Sequence, residues 1–139
     1  MSLANNRTGE LWSRFMPRRK EIDNTLNSDL ISMQVYSEPL NLGQFEQPFE
    51  KWAGVEVSDF STIPEGMESF VLKEGLYAVF DYKGSSADHR IFSYIFGTWL
   101  PQSDYNLDHR SHFEVLGEKY KNADPNSEEE IWIPVKPKG

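Results

Sequence analysis

The chain has 139 residues, the length of one domain, which can bury roughly two-thirds of its unfolded surface without a covalent staple. It contains no cysteine, which excludes a disulfide scaffold, a thiol nucleophile, a zinc ribbon and an iron–sulfur centre. Fourteen basic residues against 22 acidic ones leave a net charge of −8, a surface that repels phosphate backbones, so nucleic acid is not an expected partner.

In chain order, residues 1–8 show no periodicity and read as a tag-like or disordered N-terminus, with a single domain expected over residues 9–136. From Gly9 onward, Leu11, Trp12, Phe15, Met16, Ile22 and Leu26 recur at helical spacing, and Pro17 should kink or divide that helix. Leu30 to Ser37 alternates as a strand, Pro39 to Pro48 is a turn-rich loop, and Phe49 to Val57 is a second strand. Pro64-Glu65-Gly66 makes a turn. Ser69 to Lys83 reads as one long strand, or two joined at a bulge at Gly75. Gly84-Ser85-Ser86 ends it and offers a serine N-cap to a helix carrying Ile91, Phe92, Ile95, Phe96 and Trp99 on one face, with its exit at Pro101. His112 to Tyr120 and Glu130 to Lys136 are the last strands, on either side of an acidic loop from Asn122 to Glu130. Strands linked in pairs by short turns predict an α+β domain with an antiparallel sheet. No apolar run approaches membrane-spanning length and no signal-type segment follows the start. A cytoplasmic protein without a membrane partner is expected.

Self-comparison adds an internal pattern. Leu11-Trp12-Ser13-Arg14-Phe15-Met16-Pro17 matches Ile95-Phe96-Gly97-Thr98-Trp99-Leu100-Pro101 class for class, 84 residues on. Met33 to Glu38 lies over Phe113 to Glu118 at a spacing of 80, and at that spacing Trp52 falls on Trp132 and Val55 on Val135. The pattern predicts duplicated helix–strand–strand units. It also predicts an absence, because the strand before the second helix has no counterpart before the first. An open sheet edge would then seek a partner strand, and a dimer through that edge is one way to supply it.

Leu76-Tyr77-Ala78-Val79-Phe80-Asp81-Tyr82-Lys83-Gly84 is followed by Tyr94-Ile95-Phe96-Gly97-Thr98-Trp99-Leu100-Pro101-Gln102-Ser103-Asp104-Tyr105, then by Phe113-Glu114-Val115 and Ile131-Trp132-Ile133-Pro134-Val135. In this order the motifs resemble the GyrI-like effector-binding domain, the ligand-binding part of multidrug-responsive bacterial regulators of the AraC and MerR types. The resemblance implies a pseudo-symmetric pair of strand–helix–strand–strand units around an aromatic-lined pocket. It implies that Glu114, the glutamate of the Phe-Glu motif, faces bound lipophilic cations. Such domains begin with a strand that is expected to be absent from this chain. Many are fused to a DNA-binding helix-turn-helix, for which no residues are available here.

On pattern alone, Glu114 fits a solvent-facing strand position between Phe113 and Val115; a pocket position follows from the resemblance. Burying a carboxylate costs several kcal/mol unless it is paired, so in a pocket it should prefer a cation. Trp132 and its repeat mate Trp52 fit either the core or, facing away from the isoleucines, the Glu114 side of the sheet. There they would form a cation site with Tyr36, while Gln34 takes the place that Glu114 holds in the other half. Trp99 packs in the core or reaches the pocket wall. His109 and His112 do not have the converging spacing of a metal centre, and Glu128-Glu129-Glu130 reads as a solvated acidic run. No phosphate loop, nucleophile triad or dinucleotide fingerprint is present, so neither a cofactor nor a metal is expected.

Three readings follow. The first is a stand-alone binding domain for amphipathic or cationic small molecules, with a sensor or sequestering role. The second, which some GyrI-like relatives imply, is a hydrolase of electrophilic small molecules whose pocket glutamate activates water. The third is an acidic interaction module that inhibits a larger enzyme.

Overall fold

The apolar periodicity after Arg7 becomes α1 (Thr8–Phe15) in a computed structural model that describes residues 1–2, 5–40, 46–86 and 88–138. Pro17 has no amide hydrogen to extend the helix, and a 3-10 stretch, Met16–Glu21, takes over there. The division at Pro17 is as the sequence predicts, although the helical path ends before Leu26. The alternating segments become β1 (Leu30–Val35), β2 (Glu50–Gly54), β3 (Tyr77–Lys83), β4 (Tyr105–Leu107), β5 (His112–Leu116) and β6 (Glu128–Pro137). They form an antiparallel sheet of order β2-β1-β5-β6-β3, with β4 paired to the end of β6. Between β3 and β4 run α2 (Arg90–Tyr94), a π turn (Ile95–Trp99) and α3 (Leu100–Gln102), without a break. This is the α+β class that the sequence predicts.

Strand alternation sorts the side chains onto two faces. On one face Ile131, Ile133 and Val135 of β6 pack under Ile95 and Leu100, with Ala78, Phe80 and Trp99 against them. Each of Ile95, Ile131 and Ile133 is at most 2% exposed, so the core lies beneath the second helical arm. The first arm, α1, sits at the opposite end of the sheet, against β2. The central strands β1 and β5 are spanned by neither arm. That gap positions the site.

The other face carries Trp52, Met33, Phe113 and Trp132. Met33 stands opposite Trp52 and Phe113 opposite Trp132, so the register repeats 80 residues apart, and Met33 and Phe113 pair with each other at the sheet centre. β3 flanks β6, but among the described residues no strand flanks the outer side of β2. Met1 engages the chain just ahead of β2: its ammonium donates to the Phe49 carbonyl at 3.1 Å, and the Phe49 amide donates to the Met1 carbonyl at 2.8 Å.

Several local expectations are corrected. Ser69 to Leu76 is not a strand; its Leu76 carbonyl accepts the Val135 amide at 3.1 Å as β3 begins, but Val71 is 75% exposed, and Phe70 turns back onto Trp52 at 5.2 Å between ring centroids. Gly75, at φ +157°, is not a bulge. A Cβ there would lie 2.5 Å from the guanidinium carbon of Arg110, so the residue is small because a cation passes over it. No serine caps the second helix, which starts later, where the Arg90 amide donates to Asp88 Oδ1 at 3.1 Å. The Arg90 side chain, bonded to the same carboxylate, holds the Asp88 pKa down to about 2. β4, three residues long, is too short to leave a periodic trace.

Candidate functional site

The gap between the two helical arms is a cavity of about 810 Å³. Trp12 of α1 and Met16 line it from the first arm, and Phe92 of α2 and Phe96 of the π turn from the second. The floor is polar, which is unusual for the inner face of a sheet. Lys51 on β2, Gln34 on β1, Tyr36 just beyond it, His112 and Glu114 on β5, and Glu129 on β6 all point to this face, as the pairings Gln34–Lys51, Gln34–His112 and Glu114–Ile131 require.

The two carboxyls form the electrostatic centre. Glu129 is 8% exposed, and its pKa is pushed up to about 8, by burial first and then by the charge of Glu114 and a hydrogen bond to it. Two carboxylates cannot share a hydrogen bond unless one carries a proton. Glu129 Oε2 is buried and meets no donor among the described residues, which fits a carboxyl that holds its own proton. At neutral pH burial and the neighbouring Glu114 therefore favour the protonated form of Glu129.

Around this pair the other polar groups are held in place. Gln34 Nε2 donates to the Tyr36 hydroxyl at 3.0 Å, which turns the amide oxygen toward Lys51 Nζ at 3.3 Å. Burial lowers the Lys51 pKa below its ordinary value, while Glu114 and Glu129 pull it back up. Burial raises that of Tyr36, opposed by the Gln34 hydrogen bond. His112 is driven down to about 4, by burial and then by His109, so its imidazole is neutral at pH 7. Its ring meets Tyr36 edge-on at 5.5 Å. The result is an apolar-walled chamber with a charged floor, able to hold a flat organic molecule and to answer a charge on it.

Of the six residues singled out from sequence, Glu114, Tyr36 and Gln34 meet on this floor. By register the side chains of Trp52 and Trp132 lie on the face opposite Glu114, although Trp132 is among the residues that line the cavity. Phe113 pairs with Trp132 and Glu114 with Ile131, so one residue of register carries both tryptophans to the far side of the sheet. There Trp132 stacks on Phe113 at 5.1 Å, meets Tyr77 at 5.8 Å and donates from Nε1 to Glu130 at 3.2 Å, while Trp52 leans on Phe70. Trp99 stands edge-on to Phe80 at 5.0 Å, in the core beside the chamber. Trp132→Ala should accordingly lower stability by about 3 kcal/mol and leave the dissociation constant of a cavity ligand within about twofold. Urea unfolding and a titration of the folded variant check the two halves of this expectation.

Among the floor and wall residues that escape the sequence reading, Glu129, Trp12 and Lys51 differ in the signal they leave. Glu129 belongs to β6 and not to a solvated run: Glu128 and Glu130 face away, while Glu129 continues the inward series Ile131, Ile133, Val135. That two-residue period was the available signal. Trp12 was already aligned with Phe96 by self-comparison, and the two rings line the cavity from opposite arms. Lys51 left no signal, since a lysine beside a loop reads as surface.

Comparison with known proteins agrees with this architecture. Residues 1–135 match the family model described as Cass2, integron-associated effector binding protein. The chain is 30% identical over 129 residues to the transcriptional regulator BrlR of Pseudomonas aeruginosa, a match covering 91% of this chain and 46% of that protein. It therefore spans about half the length of the curated relative it matches. Among the described residues no helix is long and apolar enough to cross a membrane. A sheet that carries its chamber between two helical arms, matched along nearly its whole length, places the chain in the integron-associated effector-binding protein family, of the GyrI-like type.

Proposed function

We propose that this effector-binding domain takes up hydrophobic organic cations, with Glu114 and Glu129 as the counter-charge and Trp12, Phe92 and Phe96 as the apolar walls. The observation that carries the reading is the buried carboxyl pair. Left alone it keeps a proton that an exposed glutamate would lose, and a cation placed over it would let both carboxyls ionise. Aromatic faces beside it add about 0.5–2 kcal/mol per ring for a cation. By extension from the relative named a transcriptional regulator, the bound cation would serve as an input to regulation. The uncovered side of β2 offers a route to a partner strand, including that of a second copy.

The test is a titration, read by tryptophan fluorescence because Trp12 borders the chamber, of an N-alkylquinolinium cation and its neutral naphthalene isostere. Glu114→Gln keeps size and polarity but deletes the charge. The cation is expected to lose about 1–3 kcal/mol of binding and the isostere much less. Equal loss for both ligands, or no loss for either, contradicts the reading.

A further inference from the structure

We propose that the chamber selects amphoteric aromatic ligands, with a cationic group over Glu114 and Glu129 and, on the same molecule, an acidic group over Lys51. The inference rests on the cation reading above and adds the second half of the ligand. Its basis is that the floor is polarised from one side to the other. The β5–β6 half presents the two carboxyls; the β2–β1 half presents donors.

Lys51 is the principal donor. It projects from β2 to the chamber side, opposite Gln34. Its one hydrogen bond among the described residues goes to the neutral amide oxygen of Gln34 at 3.3 Å, and it forms no ion pair among them. An ammonium has three hydrogens to donate, so two remain for a ligand. The next donor is Tyr36. Its hydroxyl accepts from Gln34 at 3.0 Å, and its own hydrogen has no acceptor among the described residues. Gln34 thus fixes both groups, holding the lysine through its carbonyl and the phenol through its amide. His112, neutral and opposite Gln34 in register, puts no charge between the two halves.

This arrangement holds a plain cation less tightly than one that also carries an acidic group. Two backbone spacings separate β2 from β5, about 10 Å, so long side chains on these strands bring Lys51 within electrostatic reach of anything seated over Glu114. A monocation gains from the carboxyls and loses to the ammonium. An acidic group on the same ligand removes that loss and supplies the acceptor that Lys51 and Tyr36 lack, and charge-assisted hydrogen bonds of this kind are the strong ones. The aromatic walls of Trp12, Phe92 and Phe96 fit the flat framework between the two charges.

The experiment compares two probes on one framework, an N-benzylquinolinium bearing a carboxylate and the same compound as its methyl ester. Wild-type protein is expected to bind the carboxylate form about tenfold more tightly than the ester. Lys51→Met should abolish or invert that preference by weakening the carboxylate form and not the ester, and Lys51→Arg should retain it. Circular dichroism confirms folding of each variant; if Lys51→Met does not fold, Lys51→Gln, which keeps a polar side chain, takes its place. Equal binding of the two probes by wild type, or a preference that survives loss of the lysine charge, overturns the inference while leaving the cation reading standing. Failure of wild type to hold either probe overturns both.

Discussion

Glu129→Gln is expected to be more stable than the wild type in alkaline solution and equal to it in acid. The folded-state pKa of Glu129 is raised to about 8 from an ordinary value of 4.5. Between those values the folded protein holds a proton that the unfolded chain has released, so the folded state binds more protons and stability falls as pH rises. The contribution is intact below about pH 4.5 and is lost as pH climbs through about 8. A neutral glutamine in the same place can donate to Glu114 and has no proton to lose. At pH 9 the variant should therefore exceed the wild type by on the order of 3 kcal/mol, and at pH 4 the two should agree within about 0.5 kcal/mol. Urea unfolding at the two pH values checks this. Parallel stability profiles would mean that Glu129 ionises as freely in the folded protein as in the unfolded one.

Arg110→Ala is expected to cost about 3–5 kcal/mol, the range for removing one member of a buried charged cluster. Arg110 is 8% exposed and binds three segments together. Its Nε donates to Asp108 at 2.7 Å, while Nη2 donates to the carbonyls of Leu76 and, at 3.2 Å, of Val135. The guanidinium also lies 4.6 Å over the Tyr77 ring. Removing it takes the guanidinium donor from both carbonyls, of which Leu76 keeps the Val135 amide at 3.1 Å, and leaves an empty space under Gly75, at the point where β3 joins β6. Arg110→Lys should recover less than half of the loss, because one ammonium cannot reach acceptors that a planar fork spans. Both losses appear as a lower urea midpoint with an unchanged slope. A cost near zero for Arg110→Ala would show that the Leu76 and Val135 carbonyls find water at no penalty.

The strand pattern was legible wherever burial on one face imposed a period of two. β1, β5 and β6 were readable for that reason, and the two isoleucines of β6 fix its inward face. The same rule applies to Glu129, but three consecutive glutamates mask their alternation when read as a solvated charged run. Trp52 and Trp132 both lie in paired strands, as their sequence context predicts. Their face was not readable, because both faces of this sheet are apolar: one carries Ile131 and Ile133, the other Phe113 and Trp132. A tryptophan satisfies either. Ser69 to Leu76 shows the opposite failure: it reads as an extended apolar run, but it forms no strand. The contact of Lys51 with Gln34 depends on the apposition of β1 and β2, which spacing along the chain does not encode.

The most direct measurement of the central claim is the proton count of cation binding. At pH 7 the free pair holds a proton on Glu129, and a hydrophobic cation over it favours the ionised form. Titration calorimetry of the N-alkylquinolinium in two buffers of different ionisation enthalpy reads the protons released. The wild type should release a fraction approaching about one proton per cation bound, with none released by the neutral isostere and none by Glu129→Gln. Cation binding to the wild type with no release of protons would contradict the account, because Glu129 would then keep its proton and supply no part of the counter-charge.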